Sequence, residues 1–295
     1  MNIADTTKEE LSRMMVGRDV QFSIQKKERK PGDVVLKVEH LNVAGSSDKK
    51  LAVKDVSLEV RAGEIVSIAG IDGNGQAEFI YGLTGLEKIA PPSSSALSKN
   101  TKIILGGVDI TKKTIREKSI AGMSYIPEDR HKHGLVLDFS LEKNMILQNY
   151  WQPGFNEKGF VKRDSVQKYS DRLIGEFDIR SGQGSKTMTR SMSGGNQQKA
   201  IIARELDKGH KLLIAVQPTR GLDVGAIEFI HNQILKERDN GIAVLLVSYE
   251  LDEVMQLSDR ILVMYEGQIT GELKPETTTV QELGLYMSGA KRNEI

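Results

Sequence analysis

Between residues 70 and 77 the chain reads Gly70-Ile71-Asp72-Gly73-Asn74-Gly75-Gln76-Ala77. Glycines at this spacing let the backbone curl so that successive N–H groups point inward, with the start of a helix behind them. The result is a cradle for phosphate oxygens. The stretch matches the spacing G-x-x-x-x-G-K-[ST] only in part. Gln76 stands at the lysine position, and Ala77 stands where a hydroxyl would hold Mg²⁺. A unit charge pair at 4 Å contributes about 4 kcal/mol at an effective dielectric of 20. Losing the lysine charge therefore weakens phosphate binding on the order of a thousandfold, less what the glutamine amide recovers. Two other readings of this loop remain open. A dinucleotide turn of the form G-x-G-x-x-G needs a third glycine where Glu78 stands. An ordinary glycine turn between strand and helix needs no ligand at all.

Four further clusters carry candidate chemistry. In Ser191-Met192-Ser193-Gly194-Gly195-Asn196-Gln197-Gln198-Lys199, Ser193 starts a helix with two glycines in its first turn. Its hydroxyl and the orphan N–H groups of that turn can hold an anion, and a plain serine cap is the minimal reading. The apolar run 212–216 ends in Val216-Gln217 and passes into Pro218-Thr219-Arg220-Gly221-Leu222-Asp223. Pro127-Glu128-Asp129-Arg130 and Ser248-Tyr249-Glu250 each follow a β-like stretch. The alternate histidines of His131-Lys132-His133 read as a solvated polar loop rather than a metal site. Glu250, Asp252 and Glu253 gather at a helix start, where carboxylates complement the helix dipole.

The pattern around these clusters specifies the elements that hold them. Residues 33–60 alternate in β-branched fashion, with Val34, Leu36 and Val38 in one set and Val56, Leu58 and Val60 in another, as strands do. A short apolar strand leads into the loop at Gly70, and a helix follows from 76 to about 83. Residues 102–105 and 123–126 read as strands, and 86–100 as a Pro/Ser-rich loop. From 135 to 189 the pattern turns helical, most clearly at 164–177 with Val166, Tyr169, Leu173 and Phe177. Thereafter strand and helix alternate: strands at 212–216, 242–247 and 261–264, helices at 225–238 and 250–257. Such alternation implies a parallel sheet covered by helices, interrupted by a helical insert.

In series, these motifs resemble the ATP-binding-cassette ATPases, over roughly residues 33–271. The resemblance implies an α/β fold: a P-loop NTPase cassette with a parallel-sheet core, an antiparallel β layer and an inserted α-helical subdomain near 135–190. In that family two cassettes pair head to tail, and the signature of one closes over the phosphate loop of the other. The resemblance makes Ser193, Gly194, Gly195 and Asn196 the signature, presented to a companion cassette's ATP. Asn196 stands where the family more often has glutamine, and the retained amide implies a retained role. Asp223 falls in the loop that meets the companion. In the chain's own site Val216 stands at the position of the Asp that helps hold Mg²⁺, and Gln217 at that of the catalytic Glu. Tyr249 replaces the switch histidine and Glu128 the loop glutamine. A carboxylate can polarise an attacking water, whereas an amide only hydrogen-bonds it. No aromatic residue between 33 and 75 is available to stack on adenine. The expectation is a degenerate site with Gly70, Asp72, Gly73, Asn74, Gly75, Gln76 and Ala77 as its remnant cradle. It holds no metal; ATP is shared with the companion and Mg²⁺ sits only at the companion's site. Mg²⁺ and charge stabilisation carry most of phosphoryl transfer, so little or no ATPase activity is expected of this chain alone.

The strings at 70–76, 127–131 and 217–226 are narrower still. They resemble the second cassette of bacterial simple-sugar and nucleoside importers, whose two cassettes share one polypeptide. Sugar members keep Asp-Glu where Val216-Gln217 stand. With the segments 134–140 and 227–231, this points to the nucleoside branch, a sugar importer being the alternative. Other classes are a competent ATPase with Glu128 or Glu250 replacing Gln217, and a soluble cassette acting on ribosomes or DNA repair. The latter should carry a basic stripe or a long coiled coil, and neither is evident.

Composition fits these expectations. The chain has 295 residues, a net charge of +1, 27% charged and 39% hydrophobic residues, and no cysteine. No global field suggests a nucleic-acid partner, and no apolar run reaches the roughly 18 residues of a membrane helix. Residues 1–5 show no secretory pattern. Membrane action would run through transmembrane permease subunits, at the cytoplasmic face of the bacterial inner membrane. There Phe139 and Leu141 are candidate contacts for a coupling helix, with core packing the alternative for both. Finally, residues 6–17 align without gaps on 278–289, sharing both Thr, the Glu, a Leu, a Met and the Gly. The repeat marks 1–20 as the tail of a preceding similar cassette, 33–271 as the cassette proper and 272–295 as a helical tail.

Overall fold

The computed structural model describes residues 26–45, 51–90 and 100–293. The first copy of the repeat (6–17) and most of the Pro/Ser-rich stretch lie outside them. The chain divides into two compact units, one formed by Lys26–Tyr125, Gly209–Gln217 and 235–293, the other by Ile126–Lys208 and Pro218–Ile234.

The first unit contains two sheets. Strands β1 (Val34–Ala44), β2 (Leu51–Arg61), β4 (Lys102–Leu105) and β5 (Val108–Asp109) form an antiparallel layer in the order β2-β1-β4-β5. A second sheet takes the order β12-β11-β3-β10-β9-β6, from β3 (Ile65–Ala69), β6 (Met123–Ile126), β9 (Leu212–Val216), β10 (Ala243–Val247), β11 (Arg260–Tyr265) and β12 (Gln268–Leu273). Strands β11, β3, β10 and β9 run parallel. Every residue of β3, β9 and β10 is buried, as expected of parallel strands covered on both faces. Helix α1 (Gln76–Thr84) buries Phe79, Ile80 and Leu83 in one apolar core with both sheets. The strand that leads to the phosphate loop is tied down at its start, where Ile65 N donates to Asp259 Oδ2 at 2.9 Å. Burial opposes the charge of Asp259. The hydrogen bonds from Arg238 and Ile65 N, with the nearby charges of Lys26 and Arg238, outweigh it and hold the carboxyl below the usual carboxylate range.

Three elements of this unit escape the sequence pattern: strand β5, helix α2 (Ile115–Ile120) and strand β12, which pairs antiparallel with β11. All are short and lie at the surface or edge, where periodicity is weakest. The second copy of the repeat forms part of α8 (Val280–Met287). Its Thr279 caps Glu282 N, and Leu283, Tyr286 and Met287 pack with Val254, Ile261 and Val263.

The second unit departs from the reading of 135–189 as helical throughout. It has α3 (Leu141–Met145) and α4 (Arg163–Glu176), but between them lies a hairpin of β7 (Asn156–Glu157) and β8 (Phe160–Val161). Pro153 and Gly154 form a turn in which the Gln152 carbonyl accepts from Phe155 N and Asn156 N at 2.9 Å. Lys158 and Gly159 have φ values of 49° and 88°, the left-handed pair of a tight hairpin. Helix α5 (Gly194–Asp207) and the greater part of α6 (Val224–Asp239) complete this unit, whereas α7 (Leu251–Leu257), before β11, belongs to the first. Leu141, Met145, Leu173, Ile179, Met192, Ala200 and Ala203 make this unit's own core. Leu141 is thus fully buried and not a surface contact, whereas Phe139 is 40% exposed.

Candidate functional site

Three neighbouring parallel strands end on the same side of the sheet. Val247 pairs with Ile68 and with Val216, so the exits of β3, β10 and β9 lie side by side. Those exits are the glycine loop, Ser248-Tyr249 and Gln217. The carboxyl ends of parallel strands are where open α/β sheets bind ligands. The sequence-predicted residues of the chain's own site therefore converge.

What they form is a cradle occupied by its own side chains. Gly75 sits at φ +103° as the N-cap of α1, and a Cβ there would come within 2.6 Å of the Ala52 carbonyl, so only glycine fits. Gln76 is 1% exposed and folds back across the loop. Its Nε2 donates to the Ile71 carbonyl at 3.2 Å and fills the space over Gly70, where an added Cβ would meet it at 2.1 Å. Gln76 thus takes up the volume that a phosphate-binding lysine would open to a ligand. Asn74 is a clamp. Its Nδ2 donates to the Ile71 carbonyl at 3.1 Å, and its Oδ1 accepts from Glu266 N at 2.9 Å. Its own carbonyl accepts from Gly267 N at 2.9 Å. These bonds join the loop to the β11–β12 turn. Over the loop, Tyr249 donates its hydroxyl to Asp72 Oδ1 at 3.0 Å. That contact was not legible in the sequence, since the two residues are far apart in the chain.

The groups that hydrolysis needs are missing from this cradle. Val216 lies in the apolar core. Gln217 is buried with φ +47°, its N–H given to the Val247 carbonyl at 2.8 Å, and its Nε2 lacks a partner. No oxygen ligand stands at position 77 or 216. The residues present do not fit a magnesium-bound nucleotide, and no hydrolytic step is assigned to them.

In the second unit, helix α5 begins where the sequence places it. Ser193 is the N-cap, and its Oγ accepts from Asn196 N at 3.4 Å and from Asn196 Nδ2 at 2.9 Å. Gly194 and Gly195 form the first turn, whose N–H groups have no intrahelical acceptor. Asn196 is half-buried, its Oδ1 accepting from Arg180 N at 2.8 Å. Asp223 is likewise a cap: Oδ1 accepts from Ala226 N at 2.9 Å, at the start of α6. Buried Gln198 donates to the Pro218 carbonyl at 2.9 Å, tying α5 to the loop that carries Asp223. Glu128 forms an ion pair with Arg220.

The residues after Glu128 were read as a solvated loop but form a π-helical turn, Arg130–Gly134. Asp129 caps it, accepting from His131 N at 2.9 Å and Lys132 N at 3.0 Å. His131 Nε2 lies 3.0 Å from Gln197 Oε1 on α5. Arg130 is brought against the first turn of α5, where a Cβ on Gly194 would stand 3.0 Å from its Nη2. The sequence string contained Arg130, but nothing in its spacing signalled this approach.

The same unit carries a groove of about 640 Å³ whose lining includes Phe139, Ile146, Leu147, Tyr150 and Val161 with Lys143 and Arg163. No described helix is long and apolar enough to cross a membrane.

Residues 53–220 match the ABC transporter family. Across its whole length the chain is 47% identical to a nucleoside import ATP-binding protein, NupA, of Lactococcus lactis subsp. cremoris and 46% identical to a guanosine import ATP-binding protein, NupO, of Bacillus subtilis. It spans 56% of the length of each. A solved nucleotide-free ATP-binding cassette from an ABC transporter superposes with a TM-score of 0.65 at 20% identity, covering 87% of this chain and 96% of that one. With its sheet order, its glycine loop at the end of β3 and its serine-capped α5, this chain belongs to the ABC transporter family.

Proposed function

We propose that this chain is the second, degenerate cassette of a nucleoside importer, lending its signature to an ATP held by an intact companion cassette. The observation that carries the reading is the contrast between two helix starts. Gln76 fills the chain's own cradle, while the N–H groups of Gly194 and Gly195 have no acceptor within their helix. Mg²⁺ belongs to the companion's site. The companion cassette is the N-terminal half of the same polypeptide, a reading supported by the repeat at 6–17 and by the share of the relatives' length that the chain spans. The groove beside Phe139 receives a cytoplasmic helix of a permease subunit, its apolar lining burying that helix's apolar face. The chain thereby works peripherally at the cytoplasmic face of the inner membrane. Nucleosides are preferred to sugars as the cargo because Val216-Gln217 depart from the sugar pattern and both named relatives import nucleosides.

ATP turnover by this chain alone, by the companion alone and by their mixture tests the reading. Turnover that requires the mixture is the expected result. Mg²⁺-dependent turnover by this chain alone would mean that Gln76, Val216 and Gln217 support catalysis, and the reading would fall.

A further inference from the structure

We propose that Arg130 belongs to the signature surface and contacts the terminal phosphate of the nucleotide that Ser193, Gly194 and Gly195 complete on the companion cassette. The inference rests on the reading that the start of α5 faces a shared ATP, and it adds a charged side chain to that reading.

The geometry is unusual for a structural arginine. The guanidinium lies against the first turn of α5, with Nη2 3.0 Å and Cζ 3.4 Å from the position a Gly194 Cβ would take. This is the positive end of the helix, where a cation is repelled and an anion is held. Its bond to the protein runs from Nη1 to the Arg220 carbonyl at 3.4 Å, which is long for a charged donor. Nε is buried without a partner, and Arg130 has no carboxylate within ion-pair distance among the described residues. Arg220, whose carbonyl Arg130 bonds, is itself paired with Glu128. Asp223 accepts from Ala226 N through Oδ1, while its Oδ2 stands 3.5 Å from the position a Gly195 Cβ would take, so the same helix start also borders one carboxylate.

A cation held at a helix N-terminus without a counter-ion is an arrangement that an anion would relieve. Phosphate suits it, because the guanidinium fork and the orphan N–H groups can share its oxygens. The π-helical turn fixes the approach, since Asp129 caps the turn that begins with Arg130. A side chain at Gly194 would shift the guanidinium by a few tenths of an ångström. A cation supplied across an interface to a transferring phosphoryl group stabilises charge in the transition state, and removing such a contact costs on the order of ten- to a thousandfold in rate.

The test uses the assembled pair of this chain and its companion cassette. Ser193→Arg, Arg130→Ala, Arg130→Lys and Arg190→Ala are compared for ATP turnover, apparent KM for ATP and thermal midpoint. The expected pattern is loss of turnover in Ser193→Arg, a fall of at least tenfold in kcat in Arg130→Ala, partial recovery in Arg130→Lys, and unchanged kcat in Arg190→Ala. Loss in Ser193→Arg with unchanged kcat in both Arg130 variants would overturn the role of Arg130 and leave the shared site standing. Unchanged turnover in Ser193→Arg would overturn the shared site, and the Arg130 proposal with it. A purely structural arginine would lower the thermal midpoint in Arg130→Ala without changing kcat in Arg130→Lys, and that outcome also overturns the proposal.

Discussion

Helices α1 and α5 both begin at a Gly-rich turn, yet their starts are satisfied in opposite ways. At α1 the N-cap is Gly75, which has no side chain to cap with, and the space before the helix is taken by Gln76. Tyr249 and Asp72 bond to each other over the same loop. At α5 the serine caps through its hydroxyl, the glycines leave their N–H groups without helical acceptors, and an arginine stands by without a carboxylate. A helix start is an anion site only when its neighbours leave room and charge for one. At α1 the Gln76 amide bonds the loop's own Ile71 carbonyl and fills the space over Gly70. Glycines alone do not make a phosphate site; in the proposed reading they keep the shape of one.

The comparison can be broken from either side. The largest effect is expected at the open end: Ser193→Arg should lower turnover of the assembled pair by about a hundredfold or more, as a bulky cation replaces a phosphate-facing hydroxyl. Unchanged thermal stability in the same variant would show that only the surface was altered. At the plugged end the effects should be on stability, not turnover. Gly75→Ala forces a Cβ to within 2.6 Å of the Ala52 carbonyl at φ +103° and should cost more than about 2 kcal/mol in urea unfolding. Asn74→Ala removes the bonds to Glu266 N and the Ile71 carbonyl and should cost about 1–3 kcal/mol by the same measurement. Tyr249→Phe removes one exposed hydroxyl bond to Asp72 and should cost less than about 1 kcal/mol. A fall in pair turnover in Tyr249→Phe comparable with that of Ser193→Arg would mean that the plugged end takes part in catalysis.

The parallel strands were legible because β3, β9 and β10 are continuous apolar runs bounded by glycine or polar residues. The starts of α1 and α5 were legible from local composition, Gly75-Gln76 and Ser193-Gly194. Contacts between residues distant in the chain were not. Nothing in the order of residues announces that Tyr249 reaches Asp72, that Glu128 pairs with Arg220, or that Arg130 lies against Gly194. Asn74 and Asn196 were read as site residues from the family motif, and their bonds to Glu266 N and Arg180 N, distant in the chain, could not be read from the sequence. The hairpin at 156–161 was hidden by its length, since two-residue strands have no period to detect.

The most direct measurement is calorimetric titration of this chain alone with ATP, with and without Mg²⁺, followed by an assay of phosphate release. The account predicts no Mg²⁺-dependent gain in affinity and no release of phosphate, because Gln76 occupies the loop and positions 77 and 216 offer no oxygen to the metal. Tight Mg²⁺-dependent binding with phosphate release by the chain alone would contradict it.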